Sequence, residues 1–129
     1  MLLDWSREFD AQFDRMEADE SALGVERFNL LVFMLKRLQD QSAAPADDTA
    51  MIKRVRQARK HQIWRVSHPY RVGIALRLIC WYPKEAPEMV VVALFAGDKA
   101  GMGDVFYDSV GTRADQMIDR WIAEKEASQ

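Results

Sequence analysis

Residues 62 to 96 read QIWRVSHPYRVGIALRLICWYPKEAPEMVVVALFA, and this stretch decides how the chain folds. Two of its runs, Gln62 to Ser67 and Gly73 to Tyr82, are rich in β-branched and aromatic residues, and His68-Pro69-Tyr70 breaks them apart. Side chains of that kind fit a pleated, half-buried surface, so both runs are read as strands. Met89 to Ala96 is almost continuously apolar, as expected of a buried strand. Pro83 to Glu88, with two prolines and three charges, predicts a wide hairpin turn between the last two strands. Alternation along the second strand sends Ile74, Leu76, Leu78, Cys80 and Tyr82 to one face and Ala75, Arg77, Ile79 and Trp81 to the other.

Outside this meander the period changes. Leu2 to Trp5 suits a short first strand. Ser6 is placed to cap a helix in which Phe9, Phe13 and Met16 recur at helical spacing. A second helix is predicted over residues 23–39, with Phe28, Leu31, Val32, Leu35 and Leu38 as its apolar stripe and Gly24 as a weak point. QSAAPADDT, residues 41–49, is a polar loop, and residues 51–59 are expected to form a short helix capped by Asp47, Asp48 or Thr49. Residues 97–108 (GDKAGMGDVFYD) are expected to be a glycine-rich loop. No Gly-Lys-Ser/Thr closes it as a phosphate loop would require. Ala114, Met117, Ile118, Trp121 and Ile122 mark a closing helix, with Thr112 as N-cap and Asp115 in its first turn. The expected architecture is α+β: one domain over residues 1–129, an N-terminal helical pair packed on a small antiparallel sheet, and a C-terminal helix.

The net charge of −2 hides a strong asymmetry. Residues 1–48 carry 5 basic and 11 acidic side chains, and residues 85–129 carry 4 and 9. Residues 49–84 carry 9 basic side chains and no acidic one. A cationic block of that length attracts polyanions. Lys53, Arg54, Arg56, Arg59, Lys60, Arg65 and Arg71 within it are the expected RNA contacts. The single cysteine, Cys80, excludes an internal disulfide and lies in an apolar run, as an inert thiol would. Two histidines without metal-ligand spacing give no basis for a zinc site, and no metal or small-molecule cofactor is expected. No apolar run approaches a membrane span and the N-terminus has no basic, apolar leader, so a cytoplasmic protein with no membrane partner is expected.

Arg77, a cation flanked by apolar neighbours mid-strand, must meet either a carboxylate or an anionic ligand. His68 stands at a strand end, where an imidazole could carry a proton near neutral pH. Lys99 follows the most apolar strand, and Tyr70, Trp81 and Tyr107 could stack on bases. No triad, paired-carboxylate signature or metal cluster supplies a nucleophile. RNA brings its own in the 2′-hydroxyl, which leaves the protein to orient the phosphate, stabilise added charge and move protons.

These residues resemble the RelE/ParE toxin superfamily of type II toxin-antitoxin systems, in its HigB-like, phage-derived branch. Gln62-Ile-Trp-Arg-Val-Ser67 resembles the strand after that family's helical hairpin. Ala75-Leu-Arg-Leu-Ile-Cys-Trp81 is similar to the next strand, which commonly carries an arginine where Arg77 lies. Val90 to Lys99 resembles the last long strand and its terminal lysine. Phe106-Tyr107 with Arg113-Ala114-Asp115 resembles the pattern that opens the last helix. Trp5 to Phe9 is a weaker match. The resemblance implies metal-independent cleavage of mRNA in the ribosomal A site, neutralised by a cognate antitoxin protein. Arg77, Lys99 and Tyr107 inherit the catalytic expectation, with His68 as proton carrier. A non-catalytic binding module and a gyrase-directed toxin of the ParE kind stay open on the same fold.

Overall fold

A computed structural model describes residues 1–84, 89–100 and 109–128. Its elements run β1 (Leu2–Trp5), α1 (Arg7–Ala18), α2 (Ala22–Gln39), β2 (Ile52–Arg54), β3 (Ile63–Val66), β4 (Leu76–Trp81), β5 (Val90–Asp98) and α3 (Val110–Ala127). The strands form one sheet in the order β1-β5-β4-β3-β2. The expected α+β architecture is present, with two qualifications. The four strands β2 to β5 pair antiparallel, but β1 joins β5 in parallel, so the sheet is mixed. The helices also divide between its faces.

The alternation read from β4 holds. Leu76, Leu78 and Cys80 pack with Phe9 of α1 and with Leu31, Met34, Leu35 and Leu38 of α2. Ile79 goes to the other face, where Ile63, Val92, Leu94 and Phe95 meet Ala114, Met117 and Ile118 of α3. Trp64 is core, whereas Trp121 is half-buried at the margin of the α3 layer. Among the described residues no helix is long and apolar enough to cross a membrane.

Ser6 caps α1 by accepting the Phe9 amide at 3.0 Å, and its own hydroxyl donates to the Leu94 carbonyl at 2.6 Å. Leu94 is the extra residue of a bulge: Ile79 faces Phe95 while Cys80 faces Ala93. Beyond the reach of β1, the Gln12 amide replaces a strand, donating to the Ala96 carbonyl at 2.6 Å and accepting the Ala96 amide at 2.8 Å.

Three expectations are overturned. Residues 51–59 do not form a helix. Ile52–Arg54 is an edge strand paired with Val66, Arg65 and Trp64. Asp48 accepts the Arg54 amide at 2.8 Å and the Thr49 hydroxyl accepts the Ile52 amide at 3.1 Å, so the expected capping groups serve the strand edge. A polar helix would bury little there, whereas β3 offers a full ladder of partners. The α2 stripe is rolled: Leu30 and Met34 are buried, and Val32 is 43% exposed. Ser21 supplies its N-cap, accepting the Gly24 amide at 3.0 Å. Finally, α3 begins at Val110 behind Ser109, which makes no side-chain capping bond, so Thr112 lies inside the first turn.

Candidate nucleic-acid interface

Register decides which cations share a face. Ile52 and Arg54 belong to the α1/α2 side: Ile52 packs on that core, and the Arg54 guanidinium lies 5.4 Å from the Trp64 ring centre. Lys53 between them takes the α3 side, directly opposite Arg65 on β3. Arg65 in turn faces Ile79, two residues from Arg77 on β4. Arg77 faces Gly97, which has no side chain, and the Lys99 amide continues that ladder to the Ala75 carbonyl at 2.9 Å. Lys53, Arg65 and Arg77 therefore form a diagonal across three strands of one sheet face, and Lys99, one residue past the end of β5, continues it. Direct neighbours in such a ladder sit about 5 Å apart and diagonal ones about 7–8 Å apart at Cβ. The sequence could not show this, because alternation fixes faces within a strand but not register between strands.

Arg77 has the most unusual environment. It is partly buried, its Nη1 donates to its own strand's Leu76 carbonyl at 2.9 Å, and its Nε is buried with no partner among the described residues. A guanidinium left partly unsatisfied beside a glycine is suited to an incoming oxyanion. Asp98 turns to the α2 side and pairs with Arg27 at 2.9 Å. Partial burial raises its pKa, but the amides of Ala100 and Ala75 and the Arg27 guanidinium outweigh that and hold it below the usual carboxylate range.

His68 is engaged in the fold. It is buried, its Nε2 accepts the Leu76 amide at 3.0 Å, and its Nδ1 donates to the Pro69 carbonyl at 2.7 Å. Both nitrogens pin the β3–β4 connection, so the geometry gives His68 no free atom for proton transfer. Arg71 sits at the tip of that connection, 3.8 Å from Glu26 of α2, away from the diagonal. Tyr107 lies outside the described residues. Tyr70 is 84% exposed, and Trp81 packs edge-on to His61 and Trp121.

The remaining basic residues gather in the turn between β2 and β3. An open cavity of about 260 Å³ is lined by Lys53, Arg54, Arg56 and Arg65 with Asp48 at its rim. A second, of about 430 Å³, lies between Arg56, Arg59 and the first turn of α3 at Gly111 and Thr112. Helix α3 holds this turn tightly. A Cβ on Gly111 would lie 2.4 Å from the Gln57 carbonyl oxygen. Asp115, expected to serve the helix dipole, instead accepts the backbone amides of Lys60 at 3.2 Å and His61 at 3.1 Å. One turn on, Asp119 takes the Lys60 ammonium at 2.9 Å and His61 Nε2 at 3.0 Å, and these bonds hold its carboxyl below the usual range. Arg113 stands over the Phe95 ring, 4.0 Å from its centre, and burial lowers its pKa.

His61, Asp115, Asp119 and Arg113 were not anticipated as site-forming residues. The i, i+4 spacing of Asp115 and Asp119 on α3 is visible in the sequence, but their partner turn carries a pattern that reads as a helix. Among the described residues no group of three or more His, Cys, Asp or Glu side chains is clustered to hold a metal ion. No family model, no curated protein and no solved structure matches this chain.

Proposed function

We propose that this chain is the toxin of a type II toxin-antitoxin system, a cytoplasmic mRNA endoribonuclease of the RelE/ParE kind that works on the ribosome without a metal. A cognate antitoxin protein is its regulatory partner. The observation that carries the reading is the diagonal of Lys53, Arg65, Arg77 and Lys99 on one sheet face, with a cationic turn at its end. In this mechanism the RNA 2′-hydroxyl gives up its proton as its oxygen attacks the adjacent phosphorus, the bond to the 5′-oxygen breaks, and that oxygen takes up a proton, leaving a 2′,3′-cyclic phosphate and a 5′-hydroxyl. Arg77 and Lys99 stabilise the charge gathered on the phosphoryl oxygens, and Tyr107 moves a proton.

Induced expression tests this. Wild-type protein arrests growth and leaves truncated transcripts, and Arg77→Ala relieves both while the protein remains folded. Arrest with intact transcripts refutes RNA cleavage and points to a gyrase-directed toxin.

A second reading, a non-catalytic module binding RNA or protein through the same face, is favoured by one observation. His68, the histidine assigned to proton transfer, has both nitrogens committed to backbone groups. Absence of growth arrest with retained RNA binding would support it.

A further inference from the structure

Resting on the reading of the cationic turn as an RNA contact, we infer that Asp115 and Asp119 of α3 are positioning residues for Arg56 and Arg59: two carboxylates that make a polyanion bind better. The turn they hold is short, polar and exposed, and it lies just past an edge strand of three residues. Left to itself such a segment samples many conformations, and ordering its arginines at the moment of binding costs entropy. The structure removes that cost in advance at three points on one face of α3. Gly111 lets the helix backbone close on Gln57, Asp115 takes two consecutive backbone amides, and Asp119 takes the side chains of the same two residues. Arg59 lines the cavity beside Thr112 together with Arg56, whose guanidinium also lies 3.7 Å from the Asp48 carboxylate.

The sign of the effect separates positioning from simple charge. Removing a carboxylate from a protein that binds a polyanion strengthens binding by Coulomb attraction alone. Positioning predicts the reverse. The probe is a short fluorescein-labelled oligouridylate at low ionic strength, read by anisotropy. Asp115→Ala and Asp119→Ala are each expected to weaken binding about fivefold, the equivalent of one lost hydrogen bond. Asp10→Ala on α1, the same charge change at an exposed site, strengthens it slightly. Asp119→Asn, milder toward folding, is expected to weaken binding in the same direction, because its amide cannot hold the Lys60 ammonium as the carboxylate does. Circular dichroism confirms that each variant is folded at the assay temperature.

Unaltered or tighter binding by the folded Asp115 and Asp119 variants overturns the inference. Wild-type protein that does not bind the oligonucleotide overturns it together with the RNA reading. Because the assay reads binding alone, intact binding without cutting removes the nuclease reading and leaves the positioning role standing.

Discussion

Replacing Gly111 with alanine sets two known effects against each other. Alanine is the better helix former by at most about 1 kcal/mol, and in an open helix that gain would appear as stability. Here the added Cβ would lie 2.4 Å from the Gln57 carbonyl oxygen and 3.2 Å from the Ala58 Cα, both backbone atoms that cannot rotate away. Restoring an ordinary contact requires α3 to retreat about 1 Å from the turn, and forced shifts of that kind cost about 1–3 kcal/mol. The same retreat stretches the two Asp115 bonds, now 3.1 and 3.2 Å, beyond hydrogen-bond range. The clash wins: we expect Gly111→Ala to lose roughly 1–2 kcal/mol, net of the propensity gain. Urea unfolding followed by circular dichroism measures it. With a slope of about 1.5 kcal/mol per molar, the midpoint falls by about 1 M. A midpoint equal to or above that of the wild type would mean that α3 does not press on the turn, and the account of how Arg56 and Arg59 are held would fail with it.

Two further outcomes test other parts of the fold. Burial pushes the Cys80 thiol up to about 12, so it should stay silent to a thiol reagent at pH 8 in the native protein and react only as the chain unfolds; rapid native labelling would contradict its place beneath α1 and α2. Asp98 is held below the usual carboxylate range, so it contributes stability that is present above the unfolded-state pKa of about 3.9 and is lost as pH falls through its lower folded value. Asp98→Asn should therefore lower stability at neutral pH and flatten the acid limb of the stability profile, and parallel wild-type and variant profiles would count against the Arg27 pair.

The parts of the fold that were legible in the sequence rest on local periodicity. Two-residue alternation in residues 74–82, the Phe9, Phe13 and Met16 spacing behind Ser6, and the stripe from Ala114 to Ile122 each identify an element and the face it buries. What was hidden depends on partners distant in the chain. Ile52–Arg54 becomes a strand because Trp64 to Val66 offers it a ladder, and a short polar window cannot reveal that. Val32 and Met34 exchange places because the sheet lies slightly round the helix from where apolar count alone puts it. The candidate site divides in the same way. Arg77 was identifiable as a cation among apolar neighbours, but its alignment with Lys53, Arg65 and Lys99 requires inter-strand register. His68 looked available because nothing in the sequence indicates that its ring nitrogens serve the Leu76 amide and the Pro69 carbonyl.

The two-sided sheet has a consequence for how this molecule tolerates change. Leu78 and Ile79 are adjacent along the chain yet answer to separate interiors, one roofed by α1 and α2 and the other by α3. Damage to either side chain stays largely on its own side, so paired substitutions across the sheet should sum, whereas pairs beneath one roof should interact. The layer under α1 and α2 can then keep the scaffold intact while the layer under α3, on the sheet face that carries the diagonal, is free to be retuned.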